Sequence, residues 1–185
     1  MRVFTRALGV LAAAAVGVVL AASPAFATAP TATGAASEHD PVFTPDADTQ
    51  VALLVTKLTH AQATAQLTAS GITWSSSGNC SDRNNATCTS FEQVNQSTIQ
   101  GAQTLKSASG CGLNITGGTE VGHAAGTYSH YNGYKLDFAL STCLTNYIHN
   151  TFTSIGGDKW ESASGNIYYY ESNHWDVTYY TCGGC

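Results

Sequence analysis

Two short segments hold the residue types that metal-assisted hydrolysis requires. In the first, Ser129-His130-Tyr131-Asn132-Gly133-Tyr134-Lys135-Leu136-Asp137, an imidazole and a carboxylate stand seven residues apart. A continuous strand would send them to opposite faces, because side chains alternate. Asn132-Gly133 is a strong turn signal, so His130 can precede a turn and Asp137 can follow it on a strand, where both reach one shared ligand. In the second segment, Glu171-Ser172-Asn173-His174, an acid and an imidazole are three residues apart at the entry to a strand. Imidazole and carboxylate ligands around zinc leave one coordination position for water, whose pKa the metal lowers toward neutrality. An unligated carboxylate can then take the proton and later return it to a leaving amine. Glu120-Val121-Gly122-His123 repeats the second spacing. Spacing alone therefore leaves the identity of the base open.

The elements that must position these groups follow from local pattern. Val51 to Ser70 has helix-forming composition, and Thr59 can cap a helical segment that stops at Gly71. Thr89-Ser90-Phe91-Glu92 has the form of a capping box. Phe91, Val94, Thr98, Ala102 and Leu105 then follow at helical intervals toward Gly110. Leu136, Phe138 and Leu140 alternate with Asp137 and Ala139, which predicts a strand with the acid on the face opposite the apolar one. Ser141 can cap a further helix through Leu144 and Ile148, with Gly156-Gly157 as its stop. Strands are predicted from Ile167 to Tyr170 and from His174 to Tyr180; in the latter, Trp175, Val177 and Tyr179 share one face and His174, Asp176 and Thr178 the other. Helices followed by strands around an intervening helix give an α+β class.

Composition sets the compartment. Arg2 and Arg6 precede an apolar run from Leu8 to Ala22, and Ala25-Phe26-Ala27 fits a cleavage site. Residues 1–27 therefore read as an export signal, 28–48 as a flexible leader rich in Ala, Thr and Pro, and 49–185 as one domain. The run is too short, and too closely followed by Pro24, to favour a spanning helix, so no stable membrane insertion is expected after cleavage. The exported part keeps Arg83, Lys57, Lys106, Lys135 and Lys159 against all twelve carboxylates. That acidic balance excludes a nucleic-acid partner, which needs clustered cations. All six cysteines lie in the exported part, where thiols pair. Cys80 with Cys88 is the first expectation from local spacing, and Cys182-Gly183-Gly184-Cys185 reads as a structural disulfide.

Ser129-His130, Gly133 and Asp137, followed by Glu171 and His174 with Trp175 and Asp176 after them, resemble the signature of the D-alanyl-D-alanine carboxypeptidases, D-Ala-D-Ala dipeptidases and L-alanyl-D-glutamate endopeptidases. The resemblance runs from about Leu58 to Tyr180, and the ordered pair of motifs is far more specific than either alone. It implies a Hedgehog/DD-peptidase type of α+β fold, an antiparallel sheet with helices packed on it. It also implies one zinc held by His130, Asp137 and His174, with Glu171 as general base. The substrate class it implies is the stem peptide of peptidoglycan, cleaved by a secreted or wall-associated monomer. Members often carry an arginine before the first ligand, in a segment corresponding here to Ile115–Glu120, which has none. His123, seven residues before His130, and Lys135, on the strand face of Asp137, are the candidates to contact substrate in its place.

Other readings compete. A non-catalytic wall-binding domain of the same fold would need the metal ligands but no base, so Glu171 speaks against it. Ser129 beside His130 lacks the strand-turn-helix setting of a nucleophilic serine. Tyr168, Tyr169 and Tyr170 suit a strand with one buried and one wet face, with carbohydrate stacking as the lesser alternative. His39, His60 and His149 are expected to be solvated or hydrogen-bonded histidines.

Overall fold

The computed structural model describes residues 55–180. The export signal, the leader and the Cys182–Cys185 pair lie outside the described residues. The elements run β1 (Lys57–Leu58), α1 (His60–Ala69), β2 (Thr73–Trp74), β3 (Val94–Asn95), α2 (Gln96–Ser109), β4 (Asn114–Gly117), β5 (Lys135–Ala139), α3 (Thr142–Thr151), β6 (Thr153–Gly156), β7 (Lys159–Glu161), β8 (Ile167–Tyr170) and β9 (His174–Thr178). The class is α+β, as expected. The main sheet has the order β2-β4-β5-β9-β8-β7-β6, and β1 pairs with β3 separately. The expected all-antiparallel sheet is corrected at one edge, where β2 runs parallel to β4 because α2 carries the chain back across the sheet between them.

Local chemistry sets the helix ends. Thr59 and Gln62 form a reciprocal capping box at α1, Ser141 accepts from Leu144 N at α3, and α2 ends at Gly110 with φ 67°. The expected start of α2 at Thr89–Glu92 is not observed. Thr89 Oγ1 donates to Ser75 O and Thr116 O, and Glu92 Oε2 accepts from His60 N, so both side chains serve tertiary contacts. The helix begins only after β3. Gly156-Gly157 does not stop α3 either. That helix ends at Phe152, and Gly157-Asp158, both at positive φ, turn the β6–β7 hairpin.

One face of the sheet meets the helices. Ile115, Leu136, Phe138, Trp175 and Val177 are fully buried there, packed in one core with Leu67 of α1, Ile99 and Leu105 of α2, and Leu144 and Ile148 of α3. Antiparallel register places Leu136 opposite Val177 and Phe138 opposite Trp175, so the intervening residues Lys135, Asp137 and Asp176 necessarily share the other face. The apolar pattern thus fixes which side the polar residues occupy.

Two disulfides staple this arrangement: Cys80–Cys88, as its spacing suggested, and Cys111–Cys143, which joins the end of the α2 segment to α3. They fit an oxidising environment. Among the described residues no helix is long and apolar enough to cross a membrane. Cys111–Cys143 closes the longer loop. Its replacement in Cys111→Ser/Cys143→Ser is expected to lower stability by about 3–4 kcal/mol, read by urea denaturation. An unchanged midpoint would show that the core alone holds α3 to the sheet.

Candidate metal centre

The polar face of the sheet converges on Asp137. Its carboxylate lies at the middle of β5, opposite Asp176 on β9, and is only 6% exposed. Asp137 Oδ1 stands 3.2 Å from His130 Nε2 and 3.4 Å from His174 Nε2, while Oδ2 is 3.9 Å from His123 Nδ1. Burial alone would raise the Asp137 carboxyl. The His130, His123 and His174 imidazoles together outweigh it, His130 contributing most of the three, and hold the group well below the usual carboxylate range. Asp137 is therefore a standing anion among three imidazoles. His123, His130 and Asp137 offer ligand atoms within 4.8 Å of one another, a group able to hold a metal ion.

Each partner is aimed by a second contact. The His130–Gly133 turn forms at the expected place, with Gly133 at φ 82° and its N–H donating to His130 O. His130 Nδ1 lies 2.7 Å from Gly118 O; a carbonyl only accepts, so Nδ1 carries a proton and Nε2 is the nitrogen that faces Asp137. His174 Nδ1 is 2.7 Å from Asn173 Oδ1, which leaves its Nε2 facing Asp137 and Glu171.

The Glu171–His174 pair is built by a two-residue hairpin. Tyr170 pairs with Trp175, and Glu171 N donates to His174 O, with Ser172 at φ 60° at the first loop position. In such a hairpin residues i and i+3 are direct cross-strand neighbours on one face. Glu171 Oε2 accordingly lies 3.5 Å from His174 Nε2.

No family model, curated protein or solved structure matches this chain. Its chemistry must be read from the side chains themselves. The two acids left open by spacing are told apart by their surroundings. Glu120 is buried, and its carboxylate accepts from Ser90 N at 2.7 Å and Gly118 N at 3.0 Å, so it ties loops together. Glu171 instead faces the imidazole that faces Asp137. His123 is oriented by Glu120, with Nε2 3.3 Å from Oε1, and its ring stacks on His130 with centroids 3.8 Å apart. Lys135 was a candidate for substrate contact. Instead its side chain is 1% exposed and its Nζ is 2.5 Å from Asp176 Oδ2, which directs its charge into the fold and offsets the acid beside Asp137.

Two positioning features were not apparent in the sequence. A bulge in β4 shifts the pairing so that Gly117 sits opposite Asp137, where a Cβ would stand 2.2 Å from Asp137 Oδ2. Gly117→Ala is expected to push that carboxylate aside, weakening metal binding about tenfold or more and costing about 1–3 kcal/mol of stability. Zinc titration and thermal melting would read both effects, and a variant matching the parent in each would refute the close packing. Arg83, in the loop closed by Cys80–Cys88, donates from Nε to Thr119 O and from a terminal nitrogen to Tyr131 O, with its guanidinium over the Tyr131 ring. It clamps the segments bearing Glu120 and His130. The visible signal was that it is the one arginine after Arg6 in the sequence.

Proposed function

We propose that this protein is a secreted zinc peptidase acting on peptidoglycan stem peptides, with His130, Asp137 and His174 as ligands and Glu171 as general base. The observation that carries this reading is the spacing around Asp137 Oδ1. Donor atoms about 2.0–2.1 Å from a tetrahedral zinc lie about 3.3–3.4 Å from one another. The separations of 3.2 and 3.4 Å to His130 and His174 fit two such edges; the group whose ligand atoms all lie within 4.8 Å of one another is His123, His130 and Asp137, so this reading requires His174 to move inward when the metal binds. Two neutral imidazoles and one carboxylate suit zinc and leave a position for water.

Zinc bound there supplies Lewis acidity, lowering the pKa of water and polarising a carbonyl. Glu171, beside His174 and outside the ligand trio, accepts the proton of the attacking water and delivers it to the departing amine. Asp176, neutralised by Lys135, keeps the strand beneath the site in register without adding a second free anion. The order of residues along the chain and the α+β layout, with helices on one sheet face and the site on the other, support the likeness to the Hedgehog/DD-peptidase fold.

His123 favours a second reading. With His130 and Asp137 it makes the group whose ligand atoms lie within 4.8 Å of one another, and His174 as a fourth ligand would close the coordination sphere, giving a structural metal in a wall-binding domain. The stacking opposes this. Parallel rings send their in-plane lone pairs side by side, whereas two ligands must aim at one point. His123 is better placed to contact a substrate carbonyl.

Zinc content and mass spectrometry of digested muropeptides, measured on the same mature protein, test the proposal. One zinc per chain with new fragments supports it, and the fragment masses identify the bond. One zinc per chain without any cleavage favours the four-ligand reading, and absence of zinc refutes both.

A further inference from the structure

On the helix side of the sheet, a groove of about 680 Å³ separates α3 from the β6–β7 hairpin. Its helical wall is one stripe of α3, formed by Thr142, Thr145, Asn146 and His149, whose spacing aligns them along the axis. Asp158, Trp160 and Tyr170 make the facing wall. The floor is closed where His149 stacks on Trp160 with centroids 4.3 Å apart and where Trp175 Nε1 donates to Thr145 Oγ1.

We propose that this groove binds a carbohydrate, holding pyranose rings of a neutral polysaccharide chain. Its lining mixes aromatic surface with hydroxyl, amide and carboxylate groups, which matches a ligand having apolar C–H faces and a rim of hydroxyls. Charge decides against the alternatives. Asp158 is an anion in the wall and no lysine or arginine lines the groove, so only the His149 imidazole could offset the charge of a phosphate or carboxylate ligand, against the repulsion of Asp158. The polar helical wall equally disfavours a lipid chain. Thr142 and Asn146 are exposed on the rim, where they can reach ring hydroxyls.

The groove and the metal centre lie on opposite faces of the sheet, near the same end of β8 and β9. Tyr170 in its wall precedes Glu171, and Leu140 at its end follows Ala139, the strand partner of His174. A glycan seated there and a peptide at the metal would belong to one polymer, a link that rests on the proposed peptidase reading. Sugar binding itself rests only on the groove.

The test is titration of the mature protein with the neutral pyranose oligomers hexa-N-acetylchitohexaose and cellohexaose, followed by calorimetry and tryptophan fluorescence, with and without EDTA. Saturable binding that persists in EDTA and weakens about tenfold or more in Asn146→Ala and Trp160→Ala is expected. Asn146 is exposed on the helix, so its truncation leaves the core intact if Trp160→Ala fails to fold. Absence of saturable binding to both probes, undiminished binding by Asn146→Ala, or loss of binding in EDTA would each overturn the assignment.

Discussion

Glu171→Gln is expected to slow muropeptide hydrolysis by about 10²–10⁴-fold while one zinc per chain is retained. Glutamine keeps the size and hydrogen-bonding reach of the side chain but has no carboxylate to accept the proton of an attacking water. The metal should remain because Glu171 stands beside His174 and outside the trio centred on Asp137 Oδ1. Metal analysis and timed digestion of the same preparation separate the possibilities. Loss of zinc would make Glu171 a ligand. Undiminished turnover would remove it as the base and return Glu120 to consideration, against the two backbone amides that hold its carboxylate.

Asp137→Asn should act on the other half of the site. The carboxylate is the common neighbour of His130, His174 and His123, and an amide oxygen cannot supply its charge. Contacts one step removed from a metal are worth about 10–100-fold in affinity, so loss of the central ligand should exceed about a hundredfold. Stability gives a second readout. Metal at about a thousand times its dissociation constant stabilises a fold by ~4 kcal/mol, so EDTA should lower the melting temperature of the parent and leave that of Asp137→Asn unchanged. Equal responses to EDTA would mean that the metal, if bound, sits elsewhere.

Much of the architecture that holds these groups was legible because it is encoded locally. Thr59, Ser141 and Gly110 announce helix ends through backbone groups a few residues away, and the alternation in β5 and β9 assigns their faces. The His130–Asp137 relation could be reasoned from a turn for the same cause. What escaped depends on contacts distant in sequence. Thr89 and Glu92 resemble a helix start until Ser75, Thr116 and His60 claim their side chains. Gly156-Gly157 carries the same turn signal whether it ends a helix or joins two strands. The burial of Lys135 depends on Asp176, which register brings near from another strand. His123 reaches the centre because Glu120 is anchored by Ser90 and Gly118, a contact no spacing rule contains.

The two-residue link between Glu171 and His174 also constrains how this chain can vary. Side chains alternate along a strand, so a single inserted or deleted residue between 171 and 174 would reverse one partner relative to the other or break the hairpin. Substitutions at Ser172 are tolerable in principle; changes of length are not. In a library of single-residue insertions selected for activity, the 171–174 link should be an empty window, while the exposed loop at 84–87 should retain many members.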